Sequence, residues 1–250
     1  DNHLKWEKEF YYQIWNMVNG QCLLSFIPMR AEASDRSEQV SQLIFGEAYE
    51  VIEETEKWYF IETSFDQYRG WIDKKQFSPQ VFEVDQNRVF AFPSSPQAFE
   101  NKHILMPIGA FVPQDFKHQL LHLNEALDLF KSYIGVPYVW GGKTNFGYDC
   151  SGFTQSFFKT LGYSLKRDAY QQAAEGTAVM LLSESKTGDL AFFDNAEGKI
   201  THVGVILENE GSFEILHASG ELRIDTLDHQ GINKKSEGYS HNLRLIRRVL

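Results

Sequence analysis

Asp149-Cys150-Ser151-Gly152-Phe153 is the stretch whose reading decides the fold. It ends a glycine-rich loop and opens a helical pattern in which Phe153, Phe157, Phe158 and Leu161 share one side and Gly162 supplies the stop. Cys150 therefore stands at a helix start. The unpaired N–H groups there, and the positive end of the helix dipole, favour a thiolate over a thiol. The same groups can stabilise an oxyanion on a carbonyl under attack. A lone cysteine is more often a buried, inert side chain. A base must accompany it before it reads as a nucleophile.

Two downstream segments supply candidate bases. Thr201-His202-Val203-Gly204-Val205 and Glu214-Ile215-Leu216-His217-Ala218 both read as strands with an inward histidine. If these strands are antiparallel neighbours, one imidazole pairs with Cys150 and the other orients it through a ring hydrogen bond. Further strands are expected at 189–194 and 243–249. Upstream of the loop, Leu120, Leu123, Leu127 and Phe130 form one face of a helix running from His118 to near Gly135. Helices first and strands afterwards is an α+β order rather than alternating βαβ.

The pattern changes again toward the N-terminus. Trp6, Phe10, Ile14 and Met17 predict an amphipathic helix over 4–18. From 21 to 80, short aromatic and β-branched runs at 48–51, 58–61 and 68–72 predict a small barrel. A second short β unit follows, with strands expected at 81–84, 89–92 and 104–108 and a turn at Pro93-Ser94-Ser95-Pro96. The resulting division is 1–80, 81–117 and 118–250.

Composition removes several function classes. The 250 residues carry 24 basic and 34 acidic side chains, a net charge of −10. That balance opposes sequence-independent nucleic-acid binding. No apolar run is long enough to span a membrane as a helix. Two cysteines exclude a disulfide scaffold and a cysteine-based zinc site. Cys22, among apolar residues, reads as a buried structural thiol. Gly142-Lys143-Thr144 resembles the end of a phosphate-binding loop, but Pro137 stands where the first glycine is needed. His118 and His122 have helical metal-pair spacing, but Gln119 replaces the glutamate of a zinc peptidase motif.

Taken together, Gly135-Val136-Pro137-Tyr138-Val139-Trp140-Gly141-Gly142, the Asp149–Phe153 run, Gly188-Asp189-Leu190, Thr201-His202-Val203-Gly204 and His217-Ala218-Ser219-Gly220 resemble the NlpC family of papain-like cysteine peptidases, in order and spacing. The resemblance implies Cys150 as nucleophile, His202 as general base, His217 as the orienting third member and Tyr138 as a helper of the oxyanion hole. Pro28-Met29-Arg30, the 37–42 run and Tyr68-Arg69-Gly70-Trp71-Ile72 are similar to the bacterial SH3-like units that precede the peptidase domain in one subgroup, the γ-D-glutamyl-L-diamino acid endopeptidases. The implied fold is a papain-like catalytic domain preceded by two small SH3-like β-barrel units and an N-terminal helix. In that subgroup Asp168 lies near the free amine of an L-Ala-γ-D-Glu-diamino acid peptide, and Tyr68 closes the pocket. Trp140, Asp149 and Ser151 flank the nucleophile, and Glu38 is a second acidic contact. Ala169 stands where the subgroup has serine after Arg167-Asp168, removing one possible hydroxyl contact.

The implied activity is cleavage of the γ-D-Glu–diamino acid bond in peptidoglycan stem peptides during wall-peptide recycling, with no metal or organic cofactor. Two other readings compete: a non-catalytic wall-binding module, and a papain-like amidase or acyltransferase. Free thiols suit a reducing cytoplasm, whereas a chain starting at Asp1 and relatives that act in the cell envelope favour the envelope.

Overall fold

The structure is a computed structural model and describes residues 19–234 and 238–250. The helix expected over 4–18 lies outside the described residues. Among these residues no helix is long and apolar enough to cross a membrane.

The first unit is a six-stranded antiparallel sheet. Its order is Asn19–Gln21, Ala48–Glu54, Trp58–Thr63, Arg69–Asp73, Phe26–Arg30 and Gln39–Ile44. Alternation of inward and outward residues along these strands closes a core of Cys22, Ile27, Met29, Leu43, Tyr49, Ile61 and Ile72. Cys22 is fully buried within it, and burial pushes its thiol far up.

Residues 81–117 hold two short ladders. Val89–Phe90 pairs with Ala110–Phe111, and Pro96–Phe99 pairs with Lys102–Leu105. Their core includes Phe45 from the first sheet, so the two units share an interior. The stretch 81–84 is not a strand. The Gln21 side chain meets its backbone instead: Oε1 accepts from Val81 N at 3.0 Å, and Nε2 donates to Phe82 O at 3.2 Å. A side-chain amide has replaced a ladder partner.

In the third unit, helix Leu123–Lys131 packs on helix Cys150–Thr160, and the latter lies on a seven-stranded sheet. The sheet order is Thr177–Val179, Gly238–Arg248, Leu190–Asp194, Ile200–Asn209, Ser212–Ser219, Glu221–Leu227 and Gly231–Lys234. The last strand also pairs with Gly238–Arg248, so six strands close a ring. The first helix starts later than its apolar spacing suggests. Leu120 is outside it and exposed, while Leu121 N donates to Thr160 O at the end of the other helix. The strands at 221–227, 231–234 and 177–179 were not anticipated.

Helix Cys150–Thr160 is buried along its whole length. Phe153 and Phe157 pack against Phe130, with ring centroids 5.6 and 5.4 Å apart. Each such ring contributes roughly 1.5–3 kcal/mol of burial. Gly162 ends the helix at φ 86°. Glycine is required at 152 for a different reason: a Cβ there would lie 2.0 Å from Gly142 O. The helix start is thus pressed directly onto the glycine-rich loop.

Candidate active site

Asp149 is the N-cap of the buried helix. Its Oδ1 accepts from Gly152 N at 2.6 Å, which fixes Cys150 as the first helical residue. The Cys150 Sγ lies 3.9 Å from Thr201 O, beside the strand that carries His202. The helix start favours a thiolate, as its position suggested, but burial opposes it. Burial, with Asp149 adding to it, pushes the thiol up to about 12, and Arg167 pulls it back down. Burial also holds His202 well below its ordinary value. The resting pair is therefore a neutral thiol and a neutral imidazole.

The strands bearing His202 and His217 are antiparallel neighbours, with Val205 opposite Leu216. His202 Nε2 and His217 Nδ1 are 2.7 Å apart. His217 Nε2 is in turn 3.0 Å from Asp225 Oδ2. The chain of contacts assigns the protons. The hydrogen bond from His217, then the Arg223 side chain, holds the Asp225 carboxyl down at about 2, so it only accepts. His217 must then carry its proton on Nε2 and accept at Nδ1. His202 must carry its proton on Nε2, which leaves the Nδ1 lone pair to take a proton. Two strands thus set the tautomer a general base needs.

Asp225 escaped the sequence reading. It sits on Glu221–Leu227, where His217 is paired with Arg223 and Asp225 is the diagonal neighbour two residues on. The polar–apolar alternation of Glu221-Leu222-Arg223-Ile224-Asp225 was the available signal. His241 was also missed. Its ring stacks on His202 at 4.2 Å and 26°, covering the base on one face.

A cavity of about 430 Å³ opens at Cys150. Glu38 and Tyr68 reach it from the first sheet, and Tyr138 and Trp140 from the glycine-rich loop. Asp149, Cys150, Ser151 and Asp168 line it as well. Every residue that the sequence nominated for the pocket thus lines one space, as does Thr201, the neighbour of His202 on its strand. Their hydrogen bonds divide them. Asp149 and Ser151 are engaged with each other and with Arg167. Glu38 accepts from Trp140 Nε1 at 2.5 Å, and Gln39 Nε2 donates to Trp140 O at 3.0 Å, so the first sheet clasps the exposed tryptophan. Tyr68 donates to Asp168 Oδ1 at 3.4 Å. Asp168 is only half buried, yet burial raises its carboxyl above the usual range more than Arg167 lowers it. Arg167 points its fork at Asp149 instead. Asp168 is a carboxylate short of positive charge. Burial keeps the Tyr138 hydroxyl protonated and able to donate.

The two sides of this cavity are locked together underneath. Glu47 of the first sheet is fully buried and accepts from Lys143 at 3.1 Å and Lys159 at 2.9 Å. Asp66 accepts from Gln155 of the nucleophile helix at 2.8 Å and from Tyr68 N at 3.2 Å. Lys159 also lies 3.8 Å from the Phe111 ring centre. Two ammonium and two carboxylate groups balance almost out of reach of solvent.

A closed sheet with a cysteine-headed helix laid on it, and a His202–His217–Asp225 chain along its strands, is the architecture of a papain-like domain. Residues 135–240 match the NlpC/P60 family, and residues 29–77 match the bacterial dipeptidyl-peptidase SH3 domain. The chain is 49% identical over 88 residues to the gamma-D-glutamyl-L-lysine dipeptidyl-peptidase of Bacillus subtilis, covering 34% of this chain and 28% of that protein. With the protein of the same name from Bacillus cereus it shares 32% over 117 residues, covering 46% of this chain and 35% of that one. The matched region thus spans about a third of these relatives. Among solved structures, an NlpC/P60 family protein from Bacillus cereus superposes over 93% of this chain and 99% of its own, with a TM-score of 0.70 at 18% identity. An NlpC/P60 endopeptidase from Photobacterium damselae gives 0.63 at 15% identity over 93% of this chain and 72% of its own. These two likenesses concern the fold.

Proposed function

We propose that the chain is a cysteine endopeptidase that cuts short peptidoglycan stem peptides between γ-D-Glu and the diamino acid, and that it reads a free N-terminal amine. The observation that carries this reading is one cavity lined by both the Cys150 thiol and the Asp168 carboxylate, to which Tyr68 donates. An ammonium stripped of water needs such a carboxylate. The names of the two Bacillus relatives agree with it.

The geometry supports the following course. His202 Nδ1 takes the Cys150 proton as sulfur bonds to the γ-carbonyl carbon. The carbonyl electrons move to oxygen, and the Cys150 N–H and the Tyr138 hydroxyl donate to the resulting oxyanion. When the C–N bond breaks, the imidazolium returns its proton to the departing amine of the diamino acid. His202 then takes a proton from water as that water attacks the thioester, and the thiol leaves with the proton back. His217 and Asp225 hold the ring and its tautomer throughout. Peptides of this kind arise from the wall, so we place the work at the cell envelope.

The test is mass spectrometry of L-Ala-γ-D-Glu-meso-diaminopimelate, and of the L-Lys peptide, incubated with the protein and with Cys150→Ala. Release of the L-Ala-γ-D-Glu dipeptide and the free diamino acid is expected with the first protein only. No release from either peptide by the unaltered protein would overturn the proposal.

A further inference from the structure

Arg167 is the largest fully buried side chain among the described residues. It leads into the short helix Ala169–Gln172 and joins the first sheet to the start of the Cys150 helix. Its Nε donates to Ser41 Oγ of the first sheet at 3.0 Å. Its Nη1 donates to Ser151 Oγ at 2.9 Å and to Asp149 Oδ1 at 3.1 Å, and Nη2 completes the fork on Asp149 Oδ2. That fork is the planar bidentate geometry a guanidinium makes and an ammonium does not.

The carboxylate it grips is unusually placed. Asp149 immediately precedes the thiol, caps Gly152, and accepts from Gly141 N at 2.9 Å. It therefore holds both the nucleophile helix and the loop bearing Tyr138 and Trp140. The cap is necessary, but its negative charge opposes formation of a thiolate one residue away. The other titratable groups around Cys150 are Tyr138 from the loop, Glu38 and Tyr68 from the first unit, Asp168 and Tyr170 beside Arg167, and His202 backed by His217 and Asp225 from the sheet. Of these, only Arg167 carries a positive charge in the neutral resting site. The coulombic effects at the thiol agree, since Asp149 pushes it up and Arg167 pulls it down.

We infer that Arg167 is a positioning residue that keeps the Asp149 cap electrically silent toward Cys150 and, through Ser41, ties that balance to the docked SH3-like unit. The inference rests on Cys150 being the nucleophile, but not on any particular substrate. Asp149 can thus be an anionic cap on the loop without holding the thiol protonated.

The test is the rate at which iodoacetamide alkylates Cys150 between pH 6 and 9, read by peptide mapping so that buried Cys22 is counted separately. Arg167→Met should slow the reaction about tenfold at neutral pH, the effect of one unit in the thiol pKa. Asp149→Asn, which keeps a capping amide oxygen, should speed it by a similar factor. The double variant should return within about threefold of the unaltered protein. Opposite signs and mutual rescue separate charge balance from support of the fold, because lost support would move both rates in the same direction. The inference is overturned if Arg167→Met leaves the rate within twofold, or if Asp149→Asn slows alkylation. Should Arg167→Met fail to fold, the sign seen with Asp149→Asn decides alone. If Cys150 in the unaltered protein reacts no faster than Cys22, the nucleophile assignment itself fails, and that outcome is distinct from either of these.

Discussion

Cys150, His202, His217 and Asp225 all belong to the last unit, and three of the four lie on adjacent antiparallel strands. The opposite wall of the cavity is assembled across units. Tyr68 meets Asp168 from 100 residues away, and Glu38 meets Trp140 from 102. The bond-breaking half is thus fixed by ordinary sheet register, where a slip of one residue would turn a histidine to the wrong face. The wall built from Glu38, Tyr68, Trp140 and Asp168 has no shared ladder to align it. A buried set of charges does this work: Glu47 holds Lys143 and Lys159, while Asp66 holds Gln155 and the backbone of Tyr68. The SH3-like unit is consequently a fixed wall of the site.

Four perturbations would sharpen or break this contrast. The largest effect is expected from Cys150→Ala, which should lower turnover by roughly four orders of magnitude or more while thermal melting stays unchanged. Retained turnover would remove the chemistry from this helix. Next is Glu47→Gln, which leaves two buried ammonium groups to share one remaining carboxylate. Loss of one partner from such a set costs about 3–5 kcal/mol, measurable by urea unfolding. A loss below about 1 kcal/mol would mean the units are held by apolar contact alone. Asp225→Asn should reduce kcat about a hundredfold with little change in KM, because it frees the wrong His217 tautomer but touches no substrate. Asp168→Asn should do the reverse, raising KM about ten- to a hundredfold while kcat is largely kept.

Legibility in the sequence follows the same division. The positions of Cys150, both histidines and Tyr138 could be read because a helix start, a glycine-rich loop and alternating strands are local patterns. Asp225 was equally local, but its strand was hidden behind the short turn at Gly220. The wall from the SH3-like unit was visible only through resemblance, since nothing in Tyr68-Arg69-Gly70 announces a partner a hundred residues on. The buried charges were invisible for a physical reason. Glu47, Lys143 and Lys159 read as solvated surface residues until folding brings them together, because lone charges are almost never fully buried. The apparent strand at 81–84 failed because a glutamine side chain supplied its hydrogen bonds.

A smaller effect concerns pH. His202, His217 and His241 all lie below their ordinary values through burial, His241 at about 4. The folded protein therefore binds fewer protons at these rings than the unfolded chain does. Stability contributed by them is present above the unfolded value near 6.5 and is lost as pH falls below it. Urea midpoints should decline between about pH 6.5 and 4.5, and kcat/KM should hold to well below pH 6.5 because the base stays neutral. A flat midpoint over that range would contradict the buried, neutral state of these rings.

The central claim is that the wall shared by Asp168 and Tyr68 reads a free ammonium while the relay cuts a bond further along. Its most direct test compares L-Ala-γ-D-Glu-meso-diaminopimelate with its N-acetylated form by mass spectrometry of the released diamino acid. Release from the free-amine peptide, and at least tenfold slower release from the acetylated one, is expected. Equal release from both would leave the relay standing and contradict the role given to Asp168 and Tyr68.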